Sequence, residues 1–330
     1  MHKRTEAGID VSAKVLDVAA CRDGKTLETA QFANTAAGHR QLVKWVTKRG
    51  RPARVVLEAT GVYSLDVALA LHAAAHVQVM VVNPRAARDF ARATLQRSST
   101  DATMAATLRE YVQRMRFVAW VPPAPAVREL RALARRITAL TAERVREKNR
   151  LHAAQATCDT PAAVVRDLEV NLAHLERRVA GLTQQARTLI AAHPELQAAY
   201  AHLTSIKGIA TASAVQILPE LLVLPADMSV RQWVAHAGLD PRHWQSGSSV
   251  HLPARISKVG NVHLRRALYM PALVAVRYEP QVKAFYEHLL AKNKAPLQAL
   301  VAVMRKLLHA FYGMLRTQTD FDGAKFFARA

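Results

Sequence analysis

The sequence is short of cysteine and of acidic side chains, and each shortage excludes a class of protein. Its 330 residues include two cysteines, Cys21 and Cys158, which excludes a disulfide framework and a cysteine-based zinc site. Asp and Glu number 25 against 46 Lys and Arg, for a formal charge of +21 and a pI near 10.7. So basic a chain indicates a polyanionic partner, usually nucleic acid, although a solvated cationic surface is the alternative interpretation.

Long hydrophobic runs are also missing, although 51% of the residues are hydrophobic. The longest charge-free candidate, Val67–Pro84, contains histidines and changes from alanine-rich to β-branched halfway, so we expect a buried helix followed by a strand. The N-terminus, Met1 to Arg4, leads into charged residues rather than an apolar core, which argues against a signal peptide. These features predict a cytoplasmic protein, associated with the nucleoid when bound, and no membrane partner.

The first 120 residues have the pattern of an α/β domain. Alternating or short apolar segments predict five strands, and helical patterns separate the later ones. The expected order is strands at 7–11, 15–21 and 26–32, a helix at 35–49, a strand at 54–58, a helix at 61–75, a strand at 77–82, a helix opened by Asn83 and Pro84, and a helix at 101–115. This order fits a mixed sheet in a ribonuclease-H-like arrangement.

A proline-rich linker at 121–125 separates this domain from a helical arm, which we place at 121–200 together with the linker. Apolar residues recur every three or four positions from Val127 to Leu140, and basic residues such as Arg135 and Arg136 surround them. Two interpretations stay open: an antiparallel helical pair with a solvated basic face, or a coiled-coil arm that dimerises and contacts nucleic acid. Residues 201–330 are expected to be a mainly helical C-terminal domain.

The most distinctive stretch runs from Pro241 to Tyr278 and contains neither Asp nor Glu. Its six positive charges surround a hydroxyl-rich centre, which suggests phosphate binding. The charges come from Arg242, Arg255, Lys258, Arg265, Arg266 and Arg277, and the hydroxyls from Ser246, Ser248, Ser249 and Ser257. From these residues alone the serines cannot be ranked, and a polar loop is an equal alternative. Upstream, a glycine turn at Lys207 is typical of a helix-hairpin-helix phosphate contact or of a simple helix end.

Three carboxylates of the N-terminal domain form a second candidate site. Asp10 lies in the first strand, Glu58 ends a buried strand, and Asp101 begins a helix. Each alone is better explained as an ordinary strand-edge, strand-end or first-turn acid. Together, in a ribonuclease-H-like order, they predict a site for a hard cation such as Mg²⁺, which binds oxygen ligands and phosphate substrates.

Two sets of motifs resemble one known family. The first set is GIDVSAK, VVLEATGVYS, VVNPRAARDFA and SSTDATMAATLREY, and the second is IKGIATASAVQIL, WVAHAGLDP, QSGSS and RISKVGNVHLRRALY. Together they resemble the DEDD transposases of bacterial insertion sequences, the one-ten family, which act as RNA-guided recombinases. The resemblance covers nearly the whole chain, and the second set is the more specific.

The resemblance implies a RuvC-like nuclease domain at 1–120 and a serine transposase domain at 201–330. Asp10, Glu58 and Asp101 match the first three of the family's four magnesium-binding acids. The fourth position holds Met104, which is no useful magnesium ligand. Asp89 or Glu110 could in principle compensate, although we do not expect Glu110 to do so because it lies on a different face of the helix from Asp101. Ser246 matches the family's catalytic serine, which attacks a DNA phosphodiester.

The same resemblance implies the partners. These are donor and target DNA, a non-coding bridge-type guide RNA encoded by the element, and further copies of the chain, as a dimer and, in the synaptic complex, a tetramer. Trp244 and Tyr269 are candidates for base stacking, although we expect Tyr269 to pack in the core. The alternatives are a Holliday-junction-type endonuclease that uses metal-activated water, and a catalytically impaired nucleic-acid-binding relative in which Met104 is the defect.

Overall fold

The computed structural model describes residues 4–59, 61, 63–96, 100–246 and 250–328, with the backbone alone at 49, 246 and 250–253. The chain divides into two compact units, residues 1–122 and 123–330, and the division falls within the proline-rich linker. The helical arm belongs to the second unit.

The first unit is a mixed α/β domain with a five-stranded sheet, as the sequence predicted. Its elements are β1 (Thr5–Val11), β2 (Val15–Cys21), β3 (Leu27–Ala33), α1 (Ala36–Val46), a short 3₁₀ turn (Lys48–Gly50), β4 (Ala53–Glu58), α2 (Leu65–His72), β5 (Val77–Val82), α3 (Pro84–Ala93) and α4 (Asp101–Arg114). The strand order is β3-β2-β1-β4-β5. Strands β1, β4 and β5 are parallel, whereas β2 is antiparallel to both β1 and β3.

Local sequence explains where most of these elements begin. The Thr35 side chain accepts a hydrogen bond from Gly38 N at the start of α1, and Asn83 does the same for Arg85 N before the proline that opens α3. The predicted helix at 61–75 is shorter than expected, because it begins at Leu65. Gly61 has a positive φ of 61°, which a helix does not allow, while Thr60, also expected to open this helix, lies outside the described residues.

The second unit is mostly helical. Its helices are α5 (Pro125–Gln155), α6 (Ala162–Ala191), α7 (Pro194–Thr204), α8 (Thr211–Leu222), α9 (Val230–His236), α10 (Val262–Ala267), α11 (Tyr269–Tyr278), α12 (Pro280–Ala291), α13 (Pro296–Thr317) and α14 (Gly323–Phe326). The long pair α5 and α6 forms the arm. The buried face of α5 carries Val127, Leu130, Ile137 and Leu140, as the apolar spacing predicted.

A two-stranded hairpin interrupts these helices, β6 (Pro241–Ser246) paired antiparallel with β7 (Val250–Ile256). The prediction of a mainly helical domain is confirmed, but the sequence did not predict this hairpin. The segment lacks regular alternation and carries Pro253 within a strand, which is typical of edge strands and which sequence patterns rarely identify. Among the described residues, no helix combines the length and apolarity needed to cross a membrane.

Candidate functional site

The acids Asp10 and Glu58 lie on the same face of the sheet. Side chains alternate between faces along a strand, and Ile9 and Leu57, the neighbours of the two acids, are fully buried in the core on the opposite face. The register pairs Ile9 with Leu57 on adjacent parallel strands, so Asp10 and Glu58 follow at the same edge. The structure thus brings together two of the predicted site residues.

Helix α4 delivers the third acid to this face. A Cβ on Gly8 would lie 2.2 Å from Ala105 O, so the helix packs on the strand at a distance that requires glycine. Asp101 is the first residue of α4, where the Thr100 side chain accepts a hydrogen bond from Thr103 N in a capping box. Sequence and packing therefore place a carboxylate at the helix N-terminus, beside the end of β1.

The charges of these acids interact. Burial raises the pKa of Asp10 to about 6, with further contributions from Asp101, Glu58 and Asp17. Burial also raises the pKa of Glu58, opposed by the positive charge of Arg88. Crowded carboxylates favour either protonation or a bound cation. Their proximity is what the sequence predicted for Asp10, Glu58 and Asp101.

Asp17 is a member of this cluster that the sequence reasoning missed. It lies directly opposite Asp10 in the antiparallel pairing of β1 and β2, and it is 8% exposed. Its Oδ1 accepts a hydrogen bond of 2.7 Å from Gln31 Nε2. An acid in the middle of a buried strand was the available signal, because such a residue needs a partner.

Met104 lies one helical turn after Asp101, where the two side chains share a face, and it is half-buried. The nearby acids Glu110 and Asp89 are engaged elsewhere, with Arg114 at 2.5 Å and Arg85 at 3.4 Å. Within the described parts of the chain, no three His, Cys, Asp or Glu side chains are arranged as they stand to bind a metal ion.

In the second unit, Ser246 ends strand β6, at the turn of the hairpin. Its backbone pairs with Val250, while its side chain lies outside the described residues, as do Ser248 and Ser249 altogether. Ser257, another candidate hydroxyl, is already hydrogen-bonded, because its Oγ donates to Asp240 Oδ1 at 2.5 Å. The hairpin thus presents Ser246 at its tip and Ser257 beyond its base.

The base of the hairpin is strongly cationic. Arg242 and Arg255 are both exposed and lie directly opposite each other on β6 and β7. Like charges in this position repel, and a polyanion between them would relieve the repulsion. The Arg242 guanidinium lies 4.6 Å from the ring centroid of Trp244, whose side chain is 53% exposed. These features favour a nucleic-acid backbone as the ligand.

The remaining predicted cations have different surroundings. Lys258, Arg266, Lys207 and Arg136 are exposed. Arg265 donates from Nη1 to Ala237 O at 2.8 Å, so it also supports the turn before β6. The expectation that Tyr269 packs in the core is wrong, since it is 41% exposed at the start of α11.

The glycine turn beside Lys207 is packed against a helix. Gly208 has a φ of +109°, and a Cβ there would lie 2.7 Å from Ala275 N. The glycine is therefore required by the close approach of α11.

Arg135 contacts Glu220, a residue that the sequence reasoning missed. Glu220, on α8, is 1% exposed, and it accepts hydrogen bonds from Arg135, Arg131 and Asn261. Burial alone would raise its pKa, yet the bonds from Arg135 and Arg131 outweigh this and hold the pKa at about 2. A buried glutamate within an apolar helix was the signal.

Comparison with known proteins gives concordant results over both units. A family model described as a transposase matches residues 7–156, and one described as the transposase IS116/IS110/IS902 family matches residues 182–287. The pilin gene-inverting proteins of Moraxella lacunata and Moraxella bovis are each 30% identical over 331 residues, covering 97% of this chain and 98% of theirs. An uncharacterized 43.6 kDa protein of insertion element IS110 from Streptomyces coelicolor is 26% identical over 48% of this chain and 38% of its own.

Proposed function

We propose that this chain, which belongs to the IS116/IS110/IS902 family of transposases, uses Ser246 as its nucleophile when it cuts and rejoins DNA. Asp10, Glu58 and Asp101 would hold Mg²⁺ in support of the reaction, and an element-encoded RNA would guide it. The observation that carries the proposal is the convergence of these three acids, from three separate elements, on one face of the sheet.

The architecture of the first unit supports a RuvC-like, ribonuclease-H-like domain. The strand order β3-β2-β1-β4-β5, with β2 antiparallel, agrees with the mixed sheet that the sequence predicted. In open sheets, ligands bind at the carboxyl ends of parallel strands. Asp10 lies near that end of β1 and Glu58 ends β4, as a nuclease site of this kind requires.

The donor set fits a divalent cation. Family members with the DEDD motif generally depend on a divalent metal, and carboxylate oxygens are the ligands that Mg²⁺ prefers. Burial raises the pKa of Asp10, and the charges of Asp101, Glu58 and Asp17 raise it further, so a divalent cation among these acids would favour their ionised form. When bound, Mg²⁺ would supply Lewis-acid stabilisation of charge on a phosphate group.

In the second unit, the serine would carry the covalent chemistry. Attack by Ser246 Oγ forms an Oγ–P bond and breaks the P–O3′ bond, so the 3′ oxygen leaves with a proton and the serine holds the 5′ phosphate. Serine is a weak nucleophile at neutral pH and needs stabilisation of the charge that develops on phosphate. Arg242, Arg255 and Lys258, all exposed at or beyond the base of the hairpin, are the cations that we assign to neighbouring phosphates of the DNA backbone.

The net charge of the chain supports binding of a guide RNA, and strand exchange between two DNA molecules favours an assembly of several copies. A formal charge of +21 suits a protein that binds RNA and DNA backbones while base pairing selects the sequence. Strand exchange between donor and target DNA would use a homo-oligomer, a dimer or tetramer. Sequencing the RNA that copurifies with the protein tests the guide, because the absence of a discrete RNA would contradict it.

Substituting Ser246 by alanine tests the nucleophile. We expect Ser246→Ala to lose strand exchange and the serine-linked DNA adduct that mass spectrometry would detect in the wild type, since no other side chain replaces the attacking oxygen. Ser248→Ala and Ser249→Ala are the matched controls and should retain both. A Holliday-junction-type endonuclease that uses activated water would keep cutting in Ser246→Ala, which would contradict the proposal.

A second candidate function rests on Met104. With methionine in the fourth acid position, the chain would bind nucleic acid but cut it poorly. The wild type would then bind DNA and RNA tightly and show no metal-dependent strand cleavage in the assay above.

A further inference from the structure

The hydrogen bonds around Glu220 join three helices of the second unit. Its Oε1 accepts from Arg135 Nε at 2.7 Å, and its Oε2 accepts from Arg131 Nη2 at 3.0 Å, both on α5. The Oε2 atom also accepts a 2.7 Å hydrogen bond from Asn261 Nδ2, at the start of α10. Glu220 itself lies on α8, so one carboxylate connects the arm to the residues that follow the serine hairpin.

Stability alone does not explain such a cluster. The carboxylate is 1% exposed, and burying charges costs about as much as their pairing returns, so that apolar residues of similar size often serve stability equally well. What a charged cluster adds is a defined geometry, because each hydrogen bond fixes a direction as well as a distance. We therefore expect Glu220 to hold a particular side chain in place.

Asn261 is that group, and its amide has two separate tasks. The Oδ1 atom caps α10 by accepting from His263 N at 2.9 Å and Leu264 N at 3.1 Å. The Nδ2 atom donates to Glu220 and also lies 3.3 Å from His236 Nε2. Its backbone N also donates to His236 O at 2.6 Å. Through these hydrogen bonds, Asn261 attaches the segment after β7 to α8 and α9.

Hydrogen bonds to Gly238 and Asp240 also hold the residues just before Asn261. Ser257 bonds to Asp240 through both its backbone N, at 2.9 Å to Asp240 O, and its side chain. Lys258 N donates to Gly238 O at 3.1 Å. We call residues 257–261 the anchored loop.

Within the anchored loop, Lys258 is exposed and has an unusual backbone. Its φ is +54°, a left-handed conformation that costs a non-glycine residue free energy and persists only where its surroundings impose it. Conformations of this kind concentrate at functional sites. The hydrogen bonds of Asp240 and Gly238 on one side, and of Asn261 on the other, are the surroundings that impose it here.

We propose that Glu220 is a positioning residue: acting through Asn261, it fixes the anchored loop to α5 and so holds Lys258 at the base of the serine hairpin, near Arg242 and Arg255, where these cations bind the DNA backbone. This inference rests on the proposed function, because it assigns Lys258 to the DNA of that reaction. It gives the arm a role in DNA binding, since α5 supplies both arginines that orient Glu220.

Asn261→Ser isolates the connection. Serine keeps the N-cap, because its hydroxyl accepts the same backbone hydrogen bonds, but it has no amide to reach Glu220, which retains both arginines. We expect the amides of residues 257–264 to exchange with deuterium at least about tenfold faster than in the wild type, while α5 and α8 remain protected. We expect the Kd for DNA to rise about three- to tenfold and the salt dependence of binding to weaken, because one cation is no longer held against the DNA backbone.

Two further variants complete the experiment. Asn83→Ser makes the same change at the N-cap of α3 and should leave exchange in residues 257–264 as in the wild type. Ser257→Ala releases the other end of the anchored loop and should reproduce the faster exchange and weaker DNA binding, even if Asn261→Ser does not fold.

The outcomes separate this inference from the proposed function. Unchanged exchange in Asn261→Ser would overturn it, because Glu220 would then not hold the loop, and so would faster exchange with an unaltered Kd for DNA. Equal cleavage by the wild type and Ser246→Ala would refute the serine mechanism. If Asn261→Ser still bound DNA more weakly than both, Glu220 would stand as a positioning residue for DNA binding, whichever nucleophile cuts the strand.

Discussion

Asp10→Asn should stabilise the metal-free protein and at the same time remove its response to Mg²⁺. In the folded chain, burial and the neighbouring Asp101 and Glu58 raise the Asp10 pKa from 3.8 to about 6, so an ionised Asp10 opposes folding above that pH. Asparagine has nearly the same shape and no charge. The variant therefore relieves the repulsion without leaving a cavity.

The size of the effect follows from the pKa. A change from 3.8 to about 6 corresponds to about 3 kcal/mol at roughly 1.4 kcal/mol per pKa unit. Because Asp10 is half-buried, solvent screening reduces this to about 1 to 2 kcal/mol. The folded state binds the proton more tightly than the unfolded chain, so the free energy of unfolding of the wild type should fall as the pH rises from about 4 to about 6. Asp10→Asn should lack that fall.

Calorimetry in EDTA and in Mg²⁺ is the assay. At pH 8 in EDTA we expect Asp10→Asn to unfold about 4 °C or more above the wild type. Mg²⁺ should raise the Tm of the wild type above pH 6 and leave Asp10→Asn unchanged. Asp89→Asn removes an exposed acid paired with Arg85 and should behave as the wild type. A lower Tm for Asp10→Asn in EDTA, or an undiminished response to Mg²⁺, would refute the reasoning.

Three other variants test single features of the structure. Gly8→Ala should destabilise the protein by about 3 kcal/mol in denaturant titrations, because its Cβ would lie 2.2 Å from backbone atoms of α4, whereas Gly181→Ala, with open space around it, should stabilise it by about 1 kcal/mol. Glu220→Gln should cost about 3 kcal/mol at pH 7 by breaking a buried ion pair. The Glu220 pKa lies near 2, so this contribution is present above about pH 4.5 and is lost as the pH falls towards 2. Equal free energies of unfolding for Glu220→Gln and the wild type at pH 7 would contradict this prediction. Met104→Asp, one turn after Asp101, should raise Mg²⁺ affinity about tenfold in calorimetric titrations; unaltered strand exchange would show that Met104 is not the limiting defect.

Much of the first unit was predictable because its signals are local. Apolar alternation placed β1, β2 and β5 within two residues of their observed bounds. Asn83 and Pro84 marked the start of α3. Such signals depend on a few neighbouring residues, and tertiary packing did not override them here.

The hairpin that carries Ser246 was not predictable in the same way. In the part of the chain that the structure describes, its two short strands pair only with each other, so neither face carries the regular apolar pattern that identifies a strand. The sequence did identify the acid-free, cationic character of the segment, because composition does not depend on the fold.

Sequence by itself determined the charge, the order of the helices and strands in the first unit, and the residue types available for phosphate chemistry. Tertiary structure alone decided which of these residues meet. Asp17 joins Asp10 through the register of two antiparallel strands, and Glu220 meets Asn261, 41 positions away, and Arg135, 85 positions away. Pairings of this kind arise from long-range packing and strand register, which no local pattern in the chain encodes.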